Sequence, residues 1–121
     1  MEFALRQVGR ATVLSFAGRV NLEGEASSEL KRGIAGLIAD GNVHVVLDLG
    51  NVGFVDSQGL GALISGLKAL RQANGSLVLA GASEPVHAVL RVTRLVRVFD
   101  VQSDVEAALR AHRGEPAAAR G

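Results

Sequence analysis

The sequence predicts a single α/β domain built on a mixed, mostly parallel sheet of four to five strands with about four helices. Runs of aliphatic and β-branched residues at 43–49 and 76–81 are typical of strands buried on both faces of a parallel sheet. Segments with helical periodicity alternate with these strands, which implies right-handed crossovers. We assign residues 1–111 to the domain. The segment 112–121 is rich in Gly, Pro and Ala and is predicted to be a disordered tail.

The first forty residues predict a β-hairpin followed by a helix. Two extended segments, at Phe3–Val8 and 11–17, are separated by two residues, which suits a hairpin turn. An apolar stripe with the 3.6-residue period of a helix comes next, formed by Leu30, Ile34, Leu37 and Ile38. Asn21 is predicted to be the N-cap of this helix, and Gly41 its C′ residue.

The middle of the chain predicts the clearest helix. A loop is expected at 50–55, after the strand at 43–49. The helix begins next to Asp56 and ends at 74–75, where an Asn-Gly pair stops it. Its apolar stripe is formed by Leu60, Leu63, Ile64, Leu67 and Leu70.

The last third of the chain predicts two shorter helices and one further strand. Ser83 is a suitable N-cap for the third helix. The apolar run at 96–99 is predicted to be a short last strand. Ser103 at the N-cap and Glu106 three residues later form a capping box, which opens the fourth helix.

Composition excludes several classes of function. The chain has 13 Lys and Arg against 12 Asp and Glu, and this net charge of +1 argues against direct nucleic-acid binding. Cysteine is absent, which excludes disulfides and thiolate metal sites, and the three histidines lack metal-ligand spacing. No signal peptide and no apolar run long enough for membrane insertion is visible, so we expect a cytoplasmic protein.

The turn that starts at Asp56 is the main candidate for a site. Sites in open α/β sheets lie beyond the carboxyl ends of the strands, near helix N-termini. Ser57 is expected at or beside an N-cap, where a phosphate would bring about −1.5 to −2 charges to the positive end of the helix dipole. Gly59 and Gly61 would let backbone approach a phosphate or a partner closely. On the residues alone a simpler explanation is favoured, in which Ser57 only caps the helix.

Nucleotide-binding loops and hydrolase chemistry have weaker support. The Gly-x-Gly pair at 59–61 lacks the third glycine of a dinucleotide fingerprint, and no Gly-Lys-Ser/Thr of a P-loop follows it. The turn is superficially similar to a nucleophile elbow, but Val55 stands where that motif has glycine. No histidine is placed by the sequence to act as a base for Ser57.

Three arginines recur at three-residue steps near the end of the third helix. They are Arg91, Arg94 and Arg97. One interpretation is a solvated helix end whose positive charge complements the dipole. The other is a basic contact surface for an acidic partner.

The segment 46–63 resembles the central part of the STAS domain as it occurs in anti-sigma factor antagonists. The resemblance extends back to 18–21 and forward to 77–81 and 98–99. It covers about residues 3–110, and the order of elements agrees. It therefore implies a STAS-like fold.

The resemblance also implies a function. Antagonists of this kind are phosphorylated, on the serine after the Asp, by a partner anti-sigma factor with serine-kinase activity. Ser57 would be that acceptor here, and the unphosphorylated form would sequester the kinase and release a sigma factor. A phosphatase would be a further partner. ATP belongs to the kinase, so no cofactor and no enzymatic activity is implied for this chain. The implied partner-binding residues are Asn21, Asp56, Ser57, Gln58, Gly59, Leu60 and Gly61.

Two positions depart from the pattern of the family. Gln58 stands where many members have a second Ser or Thr, and Asn21 stands where an Asp is often found. The loss of that charge would weaken phosphorylation or alter the choice of partner. The alternative function is a STAS scaffold without a switch, as in lipid-transport ABC complexes or stressosome-like assemblies.

Overall fold

The structure is a computed structural model that describes residues 2–112. Its strands and helices follow the order β-β-β-α-β-β-α-β-α-β-α, with a short 3-10 turn before the last strand. The strands are β1 Phe3–Val8, β2 Ala11–Phe16, β3 Val20–Leu22, β4 His44–Asp48, β5 Val52–Val55, β6 Ser76–Ala80 and β7 Asp100–Gln102. The helices are α1 Gly24–Ala39, α2 Ser57–Gln72, α3 Glu84–Val92 and α4 Val105–His112.

The predicted sheet is confirmed. Five strands lie in the order β1-β2-β4-β6-β7. The opening hairpin makes β1 antiparallel to β2, and the other neighbours are parallel. Strands β3 and β5 form a separate two-stranded parallel sheet.

The sheet is covered on both faces, which explains the continuous apolar runs of its central strands. Val45 and Leu47 point into a large core that is shared with α1, α2 and α3. Val46, between them, points to the other face and packs in a smaller cluster with Ala108 and Leu109 of α4. Alternate residues at 45–47 therefore face different cores, and the polar residues of β4, His44 and Asp48, stand at its two ends.

The parallel strands give the domain two distinct edges. Strand β3 follows the carboxyl end of β2, and β5 follows that of β4. Helix α2 begins there, so we call this side the Ser57 edge. Helix α3 leaves the carboxyl end of β6 and must return to the amino end of the parallel strand β7. The segment between α3 and β7 therefore lies at the opposite edge.

Two of the predicted elements were wrong. The segment 50–55 is not a loop throughout, because β5 occupies its second half and pairs with β3. The predicted last strand at 96–99 is instead a 3-10 turn at Leu95–Arg97 followed by the buried Phe99. Strand β7 begins at Asp100, directly after the end of the predicted strand. Val96 and Phe99 pack against the core without pairing their backbone, which gives the segment the apolar pattern of a strand although it is not one.

Helix ends were predicted with mixed success. Asn21 is not an N-cap, because it lies in β3 and Glu23 occupies the N-cap position of α1. Gly41 has the left-handed φ of +85° expected of a C′ residue. Ser83 does stand at the N-cap of α3, although its hydroxyl donates to the carbonyl of Val52.

The fourth helix begins one residue later than a cap at Ser103 would imply. Asp104 Oδ1 accepts a hydrogen bond from the N–H of Ala107 at 2.8 Å, which is the capping interaction. Of the predicted tail 112–121, His112 is the last residue of α4, and the remainder lies outside the described residues.

Candidate functional site

Asp56 fixes the turn at the start of α2. It is the N-cap residue, with extended backbone, and its Oδ1 accepts a hydrogen bond from the N–H of Gly59 at 2.9 Å. Its own N–H donates to the carbonyl of Leu22 at 3.2 Å. The turn is thus held from the helix side and from β3, and the orientation of Ser57 is set by both.

The two glycines of the turn have different roles. A Cβ on Gly59 would lie 2.2 Å from the carbonyl oxygen of Leu22 and 2.7 Å from Val55 Cγ1. Only glycine therefore lets the first turn of α2 pack directly onto β3. A Cβ on Gly61 would meet nothing within 4 Å, and this residue is exposed. Of the two, only Gly61 offers its backbone to an approaching partner.

Gln58 joins the beginnings of two helices. Its Oε1 accepts a hydrogen bond from the N–H of Gly24, the first residue of α1, at 2.9 Å. The side chain of Glu23 makes no capping hydrogen bond, so Gln58 caps α1 from outside. No local sequence pattern predicts this contact, because the two residues are 34 positions apart.

Ser57 is the first residue of α2 and is exposed to solvent. Within residues 2–112, no hydrogen bond engages its hydroxyl. The first N–H groups of a helix have no partner inside the helix, so those of Ser57 and Gln58 point outward. The first turn of α2 carries no acidic residue. The carboxylate of Asp56 lies at the positive end of the helix dipole and caps the N–H of Gly59 rather than those of Ser57 and Gln58.

Asn21 and Phe54 extend the surface beside this turn. They are register partners across the β3–β5 pair, and both are exposed, with Phe54 at 45%. Sequence reasoning missed Phe54, because a phenylalanine in a predicted loop gives no sign of whether it is buried. The structure brings Asn21, Asp56, Ser57 and Gln58 to one end of the molecule. Leu60, in contrast, is half-buried and packs against the core.

The site contains no visible acid–base machinery. His44 contacts the hydroxyl of Ser76 at the opposite edge, and His87 contacts Arg91. In the part of the chain that the structure describes, no histidine is bonded to Ser57 and no group of three or more side chains could hold a metal ion. No helix within residues 2–112 is long and apolar enough to cross a membrane.

Comparison with known proteins identifies the fold and the family. The STAS domain family model matches residues 2–108. BtrV of Bordetella bronchiseptica, classed with the anti-sigma factor antagonists, is 29% identical over 108 residues, which cover 89% of this chain and 91% of BtrV.

Solved structures agree with this result. A protein of the same class from Thermotoga maritima superposes with a TM-score of 0.83 at 24% identity, covering 92% of this chain and 94% of that one. SpoIIAA of Bacillus superposes in its unphosphorylated form with a TM-score of 0.67 at 21% identity, covering 93% and 99%. Its phosphorylated form gives 0.68 at 20% identity, covering 91% and 98%. The chain belongs to the STAS domain family, with homologues that are named anti-sigma factor antagonists.

Proposed function

We propose that this protein is an anti-sigma factor antagonist that binds an anti-sigma factor with serine-kinase activity and is released when that kinase phosphorylates Ser57. The observation that carries the proposal is the exposed, unbonded hydroxyl of Ser57 at the start of α2. The shared name of the relatives supports the class of partner. The two forms of SpoIIAA supply a precedent for phosphorylation in this fold.

Access to the acceptor oxygen supports the modification. A kinase must bring the γ-phosphate of ATP in line with the Ser57 hydroxyl. That hydroxyl is on the surface and has no hydrogen bond to lose within the described residues. The Asp56–Gly59 hydrogen bond holds the turn in place, so the kinase meets a preformed substrate.

The local charges indicate what a phosphate would change. It would add about −1.5 to −2 charges at a helix N-terminus, which the free N–H groups and the dipole tolerate. The carboxylate of Asp56 is adjacent and repels the new charge. The phosphate is therefore expected to point outward, so that the helix stays intact while the surface changes.

The surface around Ser57 suits a partner that phosphorylation expels. Asn21, Phe54 and Gln58 are exposed and carry no charge. An exposed aromatic residue is a frequent anchor of protein interfaces. A doubly charged group beside Phe54 would have to be desolvated in the complex, which costs binding energy unless a cation pairs with it.

A direct test measures phosphate incorporation. The protein is incubated with the serine-kinase anti-sigma factor of the same organism and Mg·ATP, and its intact mass is recorded. We expect one phosphate on the wild type, none on Ser57→Ala, and one on the control variant Ser65→Ala. Ser65 is a matched control because it is exposed on the same helix. A phosphate that survives in Ser57→Ala would contradict the assignment.

The scaffold alternative makes a different prediction about affinity. In a scaffold without a switch, the helix that begins at Ser57 docks without chemistry, and Ser57→Asp leaves affinity nearly unchanged. For the switch we expect Ser57→Asp to weaken binding to the kinase at least about tenfold, which is about 1.4 kcal/mol. Calorimetric titration of the wild type and of Ser57→Asp against the kinase separates the two functions.

A further inference from the structure

The segment 91–98, which we call the arginine segment, is a basic stretch at the opposite edge of the domain. It carries three arginines and no acidic residue, whereas the whole chain has a net charge of only +1. All three arginines are exposed. The segment contains the end of α3 and the 3-10 turn, so it lies far from Ser57 along the direction of the strands.

Two of the three arginines have no side-chain partner among residues 2–112. Arg91 Nη1 contacts Glu84 Oε1 at 3.5 Å and also contacts His87. Neither Arg94 nor Arg97 forms an ion pair or a side-chain hydrogen bond to any residue in 2–112. Their guanidinium groups are therefore free to bind an external acceptor.

Apolar side chains interrupt the basic ones. Val92 is 83% exposed and Val98 is 45% exposed, and they are two of the four large apolar residues that are exposed within residues 2–112. A surface that mixes unpaired arginines with exposed valines has the composition of a binding site more than that of a purely solvated helix end.

The backbone conformation of Arg94 is unusual for an arginine and independently suggests that this residue has a role. Helices α1, α2 and α3 each end with a C′ residue of left-handed conformation. The first two use Gly41 and Asn74, which adopt positive φ easily, whereas α3 uses Arg94 at φ 64°. A residue with a long side chain is disfavoured at such a position. The chain bears this strain at the residue whose charge is unpaired.

We propose that the arginine segment is a second docking surface, and that its partner is an acidic protein segment with aliphatic side chains. Arginine binds carboxylates through paired N–H donors, and the valines would receive the aliphatic groups. Three cations are fewer than the clusters of about four to eight that anionic membranes select. A typical DNA-binding protein makes about six to ten phosphate contacts, which is about two to three times the number of cations in this segment.

This surface acts independently of the switch. Ser57 and the arginine segment lie at opposite edges of the sheet, so a kinase bound at Ser57 leaves the segment accessible. An acidic segment docked at 91–98 would therefore stay bound whether or not Ser57 carries phosphate. The proposal does not rest on phosphorylation.

The test uses a synthetic peptide of alternating glutamate and leucine pairs as the probe, titrated into the isotope-labelled full chain while amide shifts are followed by NMR. A peptide with lysine in place of glutamate is the charge control. We expect shifts at 91–99 that weaken with salt, and none around Ser57. Arg94→Gly should weaken binding at least about fivefold, since it removes a charged hydrogen-bond donor. It should not lower the melting temperature, because glycine relieves the positive φ.

Two matched variants control the interpretation. Asn74→Gly makes the same backbone change at the end of α2 without altering charge, and Arg32→Ala removes an exposed arginine from α1. Both should bind the peptide like the wild type. The proposal is overturned if no shifts appear, if they centre on Ser57, or if Arg32→Ala loses as much affinity as Arg94→Gly. Binding to phosphatidylglycerol vesicles with the same dependence on Arg94 would overturn the choice of a protein partner.

Discussion

Gly59→Ala and Gly61→Ala are the same substitution two residues apart, and the structure predicts opposite effects on stability. At Gly59 the new Cβ would lie 2.2 Å from the carbonyl oxygen of Leu22, whereas ordinary contact begins at 3.4 Å. The helix or β3 must therefore move by about 1.2 Å, the difference between these two distances. That carbonyl also accepts the hydrogen bond from Asp56, so the shift disturbs the turn itself.

The expected magnitudes follow from these contacts. Overpacking costs about 1–3 kcal/mol, and loss of the Asp56–Leu22 hydrogen bond costs about 0.5–1.5 kcal/mol. The gain in helix propensity from glycine to alanine returns about 1 kcal/mol. Gly59→Ala should therefore lower the free energy of unfolding by about 2 kcal/mol. Gly61→Ala has nothing to displace and should raise it by up to about 1 kcal/mol.

Urea unfolding measures both values. The chain has no Trp and no Tyr, so far-UV circular dichroism is the suitable signal. The reasoning is refuted if Gly59→Ala stays within about 0.5 kcal/mol of the wild type, or if Gly61→Ala is the more destabilised of the two. Kinase binding gives a second readout, because Gly61→Ala should weaken it only if the partner approaches the backbone at that position.

Three further predictions concern the same helix. Asp56→Ala removes the hydrogen bond to Gly59 and should cost about 0.5–2 kcal/mol of unfolding free energy, measured in urea; no loss would mean that the cap is not formed. Gln58→Ala should speed amide hydrogen exchange at Gly24 and cost about 0.5–1 kcal/mol, and unchanged exchange would argue against the external cap of α1. Leu63→Ala opens a cavity at a fully buried position and should cost about 2–5 kcal/mol; a much smaller value would mean that the site collapses around it.

Local pattern was sufficient where one element carries its own signal. The apolar run of β4 is continuous because both of its faces are buried, and the stripe of α2 has the period of a helix with one buried face. Asp56 just before this stripe is a residue type that is typical of an N-cap, so the start of the helix was also predictable. Local sequence patterns therefore predicted the strands β1, β2, β4 and β6 of the main sheet and the start of α2.

The surface around Ser57 could not be predicted, because non-local contacts build it. Strand β3 has three residues and β5 has four, too few for a recognisable alternation, and each exists because it pairs with the other. Asn21 was mistaken for a helix cap for this reason. The Gln58–Gly24 hydrogen bond joins segments that no local pattern relates.

These contacts make the position of Ser57 depend on residues that a partner never touches. Leu22 accepts the hydrogen bond of Asp56 and packs against Gly59, so β3 determines where the first turn of α2 lies. Leu22 itself is fully buried. A larger residue at the buried position 59 would replace none of the exposed residues around Ser57. It would still displace the Ser57 hydroxyl. A displacement of the reacting oxygen by about 1 Å is enough to lower the rate of a group-transfer reaction about a hundredfold. On the proposed function, Gly59→Ala should therefore lose more phosphorylation than its lower stability explains, although the protein is folded and Ser57 is intact.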